Sequence, residues 1–130
     1  MSTELMVLAW GGVLGLVHIF AAGHVKTKQY GAKWNMGPRD EALPPPEPIV
    51  GRMMRAQANF FETFPIMAAA ILIVSIAHLT SQWTQIGAIV WLGARVAFLP
   101  LYIFGVTGVR SAAFLISLAG LLMVLWPALF

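Results

Sequence analysis

The chain has 130 residues, 59% of them hydrophobic and 10% charged, with no cysteine and a formal net charge of +3. So apolar a composition excludes an ordinary soluble domain, and the length leaves room for a single domain. The lack of cysteine excludes disulfides, thiolate metal sites and a cysteine nucleophile, so any sulfur chemistry must use sulfur carried by a substrate.

Four apolar runs stand out, at residues 5–22, 66–79, 86–103 and 112–130. A helix needs about 20 mostly apolar residues to cross a hydrocarbon core of roughly 30 Å. Each run reaches that length alone or with a flanking turn. Backbone groups in lipid must bond within their own segment or within a closed barrel, and period-2 alternation is absent. The expectation is an all-α integral membrane four-helix bundle forming one domain over residues 1–130.

The first helix is expected over residues 3–25. Its leader "MSTE" has no basic residue and ends in an acid, which disfavours a cleaved signal peptide. Gly11 and Gly15, four apart, either form a small-residue face for a close neighbour or reflect the general abundance of glycine in membrane helices. The loop over residues 26–47 is the only long polar segment. Pro44, Pro45, Pro46 and Pro48 predict an extended lead-in to the second helix, with Pro48 in its first turn.

The second helix is expected over residues 48–79, roughly 45 Å at 1.5 Å per residue and longer than the hydrocarbon core. Pro65 should bend it. The third is expected over residues 83–103 and the fourth over residues 108–129, with Trp83 and Trp126 as interfacial anchors at the outer ends. Lys26, Lys28, Lys33, Arg39 and Arg52 lie in or beside the first loop and Arg110 beside the third, while the second loop "HLTSQWTQ" has no basic residue. This asymmetry places loops one and three in the cytoplasm. The basic balance is therefore topology, not a nucleic-acid footprint.

The stretch "RMMRAQANFFETFP" carries polar groups into the second apolar run. Arg52, Arg55, Asn59 and Glu62 are spaced three, four and three apart. At 100° per residue they fall within about an 80° arc and descend about 15 Å from Arg52 to Glu62. Gln57 points elsewhere. A carboxylate at that depth must face a partner or a wet cavity. One interpretation is helix glue. Buried ion pairs seldom add net stability, however, and several such groups on one short face favour a site. On the third helix Arg95, Phe98 and Tyr102 share a face. Arg95 lies near the depth of Glu62 on the antiparallel second helix, so the two are expected to pair or to share a ligand. Tyr102 is either a site residue or an aromatic-belt residue, and Arg110 either a site residue or an orientation signal. Together these groups describe a pocket at the cytoplasmic end of the bundle. Arginine forks bind carboxylates and Glu62 suits an ammonium. The implied ligand is small and multiply charged, with an apolar co-substrate entering from lipid.

The second-helix stretch resembles the signature of the MAPEG superfamily, the membrane-associated proteins in eicosanoid and glutathione metabolism. "ARVAFLPLYIFGV" and the following "VRS" are similar to the matching third-helix region, and the likeness covers essentially the whole chain. The compact length and the "GPRD" loop look like bacterial members, which implies a bacterial inner membrane. The resemblance implies a homotrimer of four-helix subunits with glutathione, as co-substrate, held between neighbours. It implies that Arg55, Gln57, Asn59, Glu62 and Tyr102 surround glutathione and that Arg110 faces its sulfur; Arg52 and Arg95, from the arginine-rich pocket described above, are expected to join them. Two positions depart from the pattern: Thr63 and Phe98 stand where tyrosine is usual, each losing a hydroxyl.

The implied function is a glutathione-dependent transferase or peroxidase acting on hydrophobic electrophiles, in which Arg110 stabilises the thiolate. A non-catalytic lipid-binding or scaffold protein of the same family is the alternative. A proton-coupled multidrug exporter is disfavoured, because such a pump needs an acid free to exchange protons and arginines are expected near Glu62. His18, His24 and His78 lack ligand spacing, so no metal site is expected.

Overall fold

The computed structural model describes residues 1–130 and is all-α, with no strand. The elements are α1 (Thr3–Tyr30), α2 (Ala32–Met36), α3 (Pro48–Ile76), α4 (Gln82–Ile103) and α5 (Thr107–Leu129). Four of them, α1, α3, α4 and α5, are long and apolar enough to cross a membrane. The chain is therefore a multi-pass integral membrane protein built as a four-helix bundle. α1 packs on α3 and α4, α5 packs on α4 and α3, and α3 also meets α4 across the centre. α1 and α5 occupy opposite corners and do not touch.

Two kinds of close approach hold these neighbours. On α1, Gly11, Leu14, Gly15, His18 and Ala22 form the buried face. A Cβ added at Gly11 would lie 2.6 Å from Phe64 Cε1, and one at Gly15 would lie 3.3 Å from Phe60 Cε1. The two glycines are thus hollows that admit the phenylalanine rings of α3. The α4–α5 crossing is tighter still. A Cβ on Gly120 would meet the Gly87 carbonyl oxygen at 2.5 Å and the Trp91 amide nitrogen at 2.7 Å, so here backbone touches backbone. Small residues permit this approach, and dispersion contacts between the helices then hold it without any hydrophobic force from lipid.

The centre is aromatic. Phe60 and Trp91 are fully buried. Phe64 stacks on Phe60 at 5.0 Å and on Trp91 at 5.8 Å, and the His18 ring stacks on Phe60 at 4.8 Å. One cluster thereby ties α1, α3 and α4 together.

The helix ends are set locally. α1 continues past the expected end at Val25 to Tyr30, where Gly31 at φ 97° turns the chain into the short α2. From there the proline segment returns along α1. Tyr30 Oη donates to the Pro44 carbonyl at 3.0 Å, Gln29 Nε2 to the Pro45 carbonyl at 3.1 Å, and Gln29 Oε1 accepts from the Glu47 amide at 2.9 Å. The polyproline lead-in is therefore a strap fixed to the end of α1, and α3 starts with Pro48 in its first turn. α3 runs unbroken through Pro65 and stops at Ile76, short of the expected Leu79. His78 takes φ 57° there, and the Leu79 amide returns to the Val74 carbonyl at 2.8 Å, a Schellman-type stop. At the same end of the bundle Ser81 and Thr84 form a capping box for α4. The Thr84 hydroxyl also donates at 3.1 Å to Glu4, a buried carboxylate of α1.

Candidate functional site

α4 ends in a turn that determines where α5 begins. Gly105 adopts φ 71°, a left-handed conformation that only glycine reaches without strain. The Val106 amide bonds back to the Leu101 carbonyl at 3.0 Å and the Gly105 amide to the Tyr102 carbonyl at 3.1 Å. Arg52 completes this cap from α3. Its Nη1 donates to the Ile103 carbonyl at 3.3 Å, and its guanidinium lies 3.3 Å from where a Gly105 Cβ would stand. Arg52 thus satisfies a helix-end carbonyl that has no partner within α4. The turn brings Arg110, in the first turns of α5, back over Tyr102 in the last turn of α4.

Tyr102 is the hub of the site. Arg55 Nε donates to its hydroxyl oxygen at 3.2 Å. The Arg110 guanidinium carbon lies 4.6 Å from the centroid of its ring. That geometry is a cation–π contact. Arg55 reaches Tyr102 by folding over Gly51, whose Cα leaves its guanidinium room: an added Cβ would stand 3.0 Å from Nη1. Two cations on different helices are thereby oriented by one phenol.

Beside this stack is a cavity of about 330 Å³ lined by Asn59, Phe98, Tyr102, Arg110, Ser111, Phe114 and Leu115. Its polar groups come from α3, α4 and α5, and its remaining wall is aromatic and aliphatic. Leu115 is 63% exposed, so the cavity opens toward the outer surface of the bundle between apolar side chains.

The structure separates the expected site residues into groups. Asn59, Tyr102 and Arg110 line the cavity together, with Arg55 attached through Tyr102. Gln57 is half-buried and turned from the Arg55 side of α3. Glu62 is exposed on the outer face of α3. Arg95 is fully buried, and its hydrogen bond runs from Nη1 to Asn59 Oδ1 at 2.7 Å. Of the two expectations for Glu62 and Arg95, a direct pair or a shared ligand, the direct pair does not form within the chain, because Glu62 lies on the outward side of α3 while Arg95 on α4 points into the bundle. Arg95 instead sits among rings, 4.5 Å from the Phe98 centroid and 5.5 Å from that of Phe60, with Nε and Nη2 lacking a protein partner.

The two departures from the family pattern also have a place. The Thr63 hydroxyl donates to the Phe60 carbonyl of its own helix at 3.3 Å. Phe98 is buried and lines the cavity without a hydroxyl. Ser111, Phe114 and Leu115 escaped the sequence reading, although 110, 111, 114 and 115 repeat at helical spacing on one face of α5. His18, which lacks metal-ligand spacing, is instead a buried core residue. Its spacing of three from Gly15 and four from Ala22 placed it on the buried face of α1.

Fold and site define a class: a small four-helix membrane protein with an arginine-flanked cavity at one end of its bundle. The MAPEG family model matches residues 7–130, nearly the whole chain, and the protein belongs to the MAPEG family. No curated protein and no solved structure matches it.

Proposed function

We propose that this protein is a membrane-bound glutathione-dependent transferase or peroxidase that acts on hydrophobic electrophiles, with Arg110 stabilising the glutathione thiolate. The observation that carries this reading is the Arg55–Tyr102–Arg110 stack at the mouth of a partly apolar cavity. Glutathione brings two carboxylates, an ammonium and a thiol. Arg55 is a carboxylate-binding fork held by Tyr102, and Asn59 is an amide that can bond the peptide backbone of the ligand. Arg110 is a cation at the cavity wall, where an opposite charge lowers the pKa of a thiol.

The thiolate sulfur then attacks an electrophilic carbon. A carbon–sulfur bond forms, and the displaced bonding pair leaves with the leaving group or moves into an activated alkene. With a hydroperoxide, the sulfur takes the terminal oxygen and the alkoxide departs as alcohol. A second glutathione reduces the resulting sulfenic acid, giving glutathione disulfide and water. The chain has no cysteine of its own, so in either reaction the sulfur is the ligand's.

The site is proposed to be completed by a second copy of the chain in a homotrimer. Exposed positions on α3 repeat at 54, 55, 58, 61, 62, 65, 66, 69, 72 and 73, one continuous helical face. Glu62 lies on that face at membrane depth, where contact with lipid is unfavourable. Ala58 and Ala69 on the same face allow a neighbour's helix to approach closely. A neighbour there would bring Glu62 to the ligand ammonium at the subunit boundary, with Arg52 and Gln57 at its edges. The basic first-loop region is proposed to be cytoplasmic, in a bacterial inner membrane.

A scaffold or lipid-binding role is the second reading, favoured by the two missing hydroxyls at Thr63 and Phe98. Equilibrium binding of glutathione combined with a screen of electrophiles and hydroperoxides separates the two. Turnover with saturable glutathione dependence supports the enzyme. Binding without turnover across that screen supports the scaffold.

A further inference from the structure

Arg95 stands directly behind the cavity wall. It is fully buried, and its guanidinium carbon lies 4.5 Å from the Phe98 ring centroid and 6.0 Å from that of Phe114. Both rings line the cavity. Its Nη1 donates to Asn59 Oδ1 at 2.7 Å, and Asn59 also lines the cavity.

A guanidinium has only donors, whereas a primary amide has one acceptor oxygen and one donor nitrogen. The bond therefore decides which way round the Asn59 amide sits. Its oxygen turns to Arg95, and its NH2 group is left to donate elsewhere. Bundle stability does not explain the arrangement well. A buried cation with donors lacking partners, here Nε and Nη2, is a poor way to hold helices together, and apolar replacements of buried charges are often neutral or stabilising.

We infer that Arg95 is a positioning residue for the site: it locks the Asn59 amide with its NH2 toward the cavity, so that at this point the site accepts a carboxylate or peptide carbonyl and rejects a donor. The inference rests on the glutathione reading and adds an orientation rule to it. Arg95 itself does not touch the ligand.

The test is a glutathione titration of the purified native protein and of Arg95→Met, Asn59→Ala and the double variant, with kcat measured at saturating glutathione. Arg95→Met should weaken glutathione binding about tenfold, the scale of one well-placed hydrogen bond to a charged group, while kcat changes much less. In the Asn59→Ala background the same substitution should add almost nothing, since the residue it acts through is gone. Unchanged affinity in Arg95→Met, or losses that multiply in the double variant, would overturn the inference while leaving the glutathione reading intact. A native protein that binds no glutathione would remove both. Asn59→Asp supplies a check that does not depend on the folding of Arg95→Met. The new carboxylate satisfies Arg95 with an ion pair, so thermal stability should hold or rise, yet it presents an acceptor to the cavity and glutathione binding should fall. Native affinity in Asn59→Asp would overturn the inference.

Discussion

Tyr102 has two separable duties: its ring supports Arg110 and its hydroxyl accepts from Arg55. Tyr102→Phe keeps the first and loses the second. It should weaken glutathione binding by about 1 kcal/mol, roughly fivefold, with kcat little changed. Tyr102→Ala loses both and should depress kcat as well, a difference that steady-state kinetics on the two variants would reveal. Arg110→Ala should lower kcat by about a hundredfold, the scale of removing one charge-stabilising donor from an active site, with a smaller effect on glutathione affinity. Equal turnover in that variant would reject its role. Helical spacing singles out Arg55 and Tyr102 of this stack, whereas Arg110 enters through the family resemblance, and the direct Glu62–Arg95 pair, one of two expectations, does not form within the chain. Periodicity states which residues share a helix face. It does not state whether that face turns to the bundle centre or away from it, and the two residues turn opposite ways. Asn59 is the one acceptor that the helix rotation brings to Arg95.

At the scale of elements, the α4–α5 crossing should be the least tolerant packing in the bundle. Gly120→Leu forces a side chain against the Gly87 and Trp91 backbone, which has no rotamer to yield. It should destabilise by about 3 kcal/mol or more, read as a lowered midpoint of thermal unfolding followed by tryptophan fluorescence in detergent. Gly93→Ala on α4 has open space around the new methyl and should leave the midpoint unchanged or slightly raised. The sequence announced Gly11 and Gly15 by their spacing within one helix. Gly87 and Gly120 lie on different helices, and nothing local to either says that they meet. The strap was half legible: four prolines promised an extended segment, but its fastening to Gln29 and Tyr30 depends on α1 continuing past Val25, beyond the apolar run that defined the helix.

At the scale of the molecule, four apolar runs in a short chain determine the architecture, because lipid forbids any open-edged alternative. Glu62, on the otherwise apolar outer face of α3, does not fit a single chain surrounded by lipid. The proposed trimer should appear in detergent as a particle with a protein mass of roughly three times 14.1 kDa. The chain lacks cysteine, so single replacements report cleanly. Ala58→Cys on the α3 face should cross-link between subunits with a short bis-maleimide, and Phe20→Cys on the exposed side of α1 should not. Sequence pattern alone leaves such a face unassigned, since lipid and a second copy both demand apolar neighbours around Glu62.

Whether the cavity binds glutathione and ionises its sulfur, as proposed, is tested most directly by ultraviolet difference absorbance of the purified protein titrated with glutathione at neutral pH. A saturable thiolate band is the expected result, retained in the native protein at pH values well below the usual thiol pKa of about 8.5 and lost in Arg110→Ala. Absence of any thiolate band in the native protein, at glutathione concentrations that saturate an independent binding measurement, would contradict it.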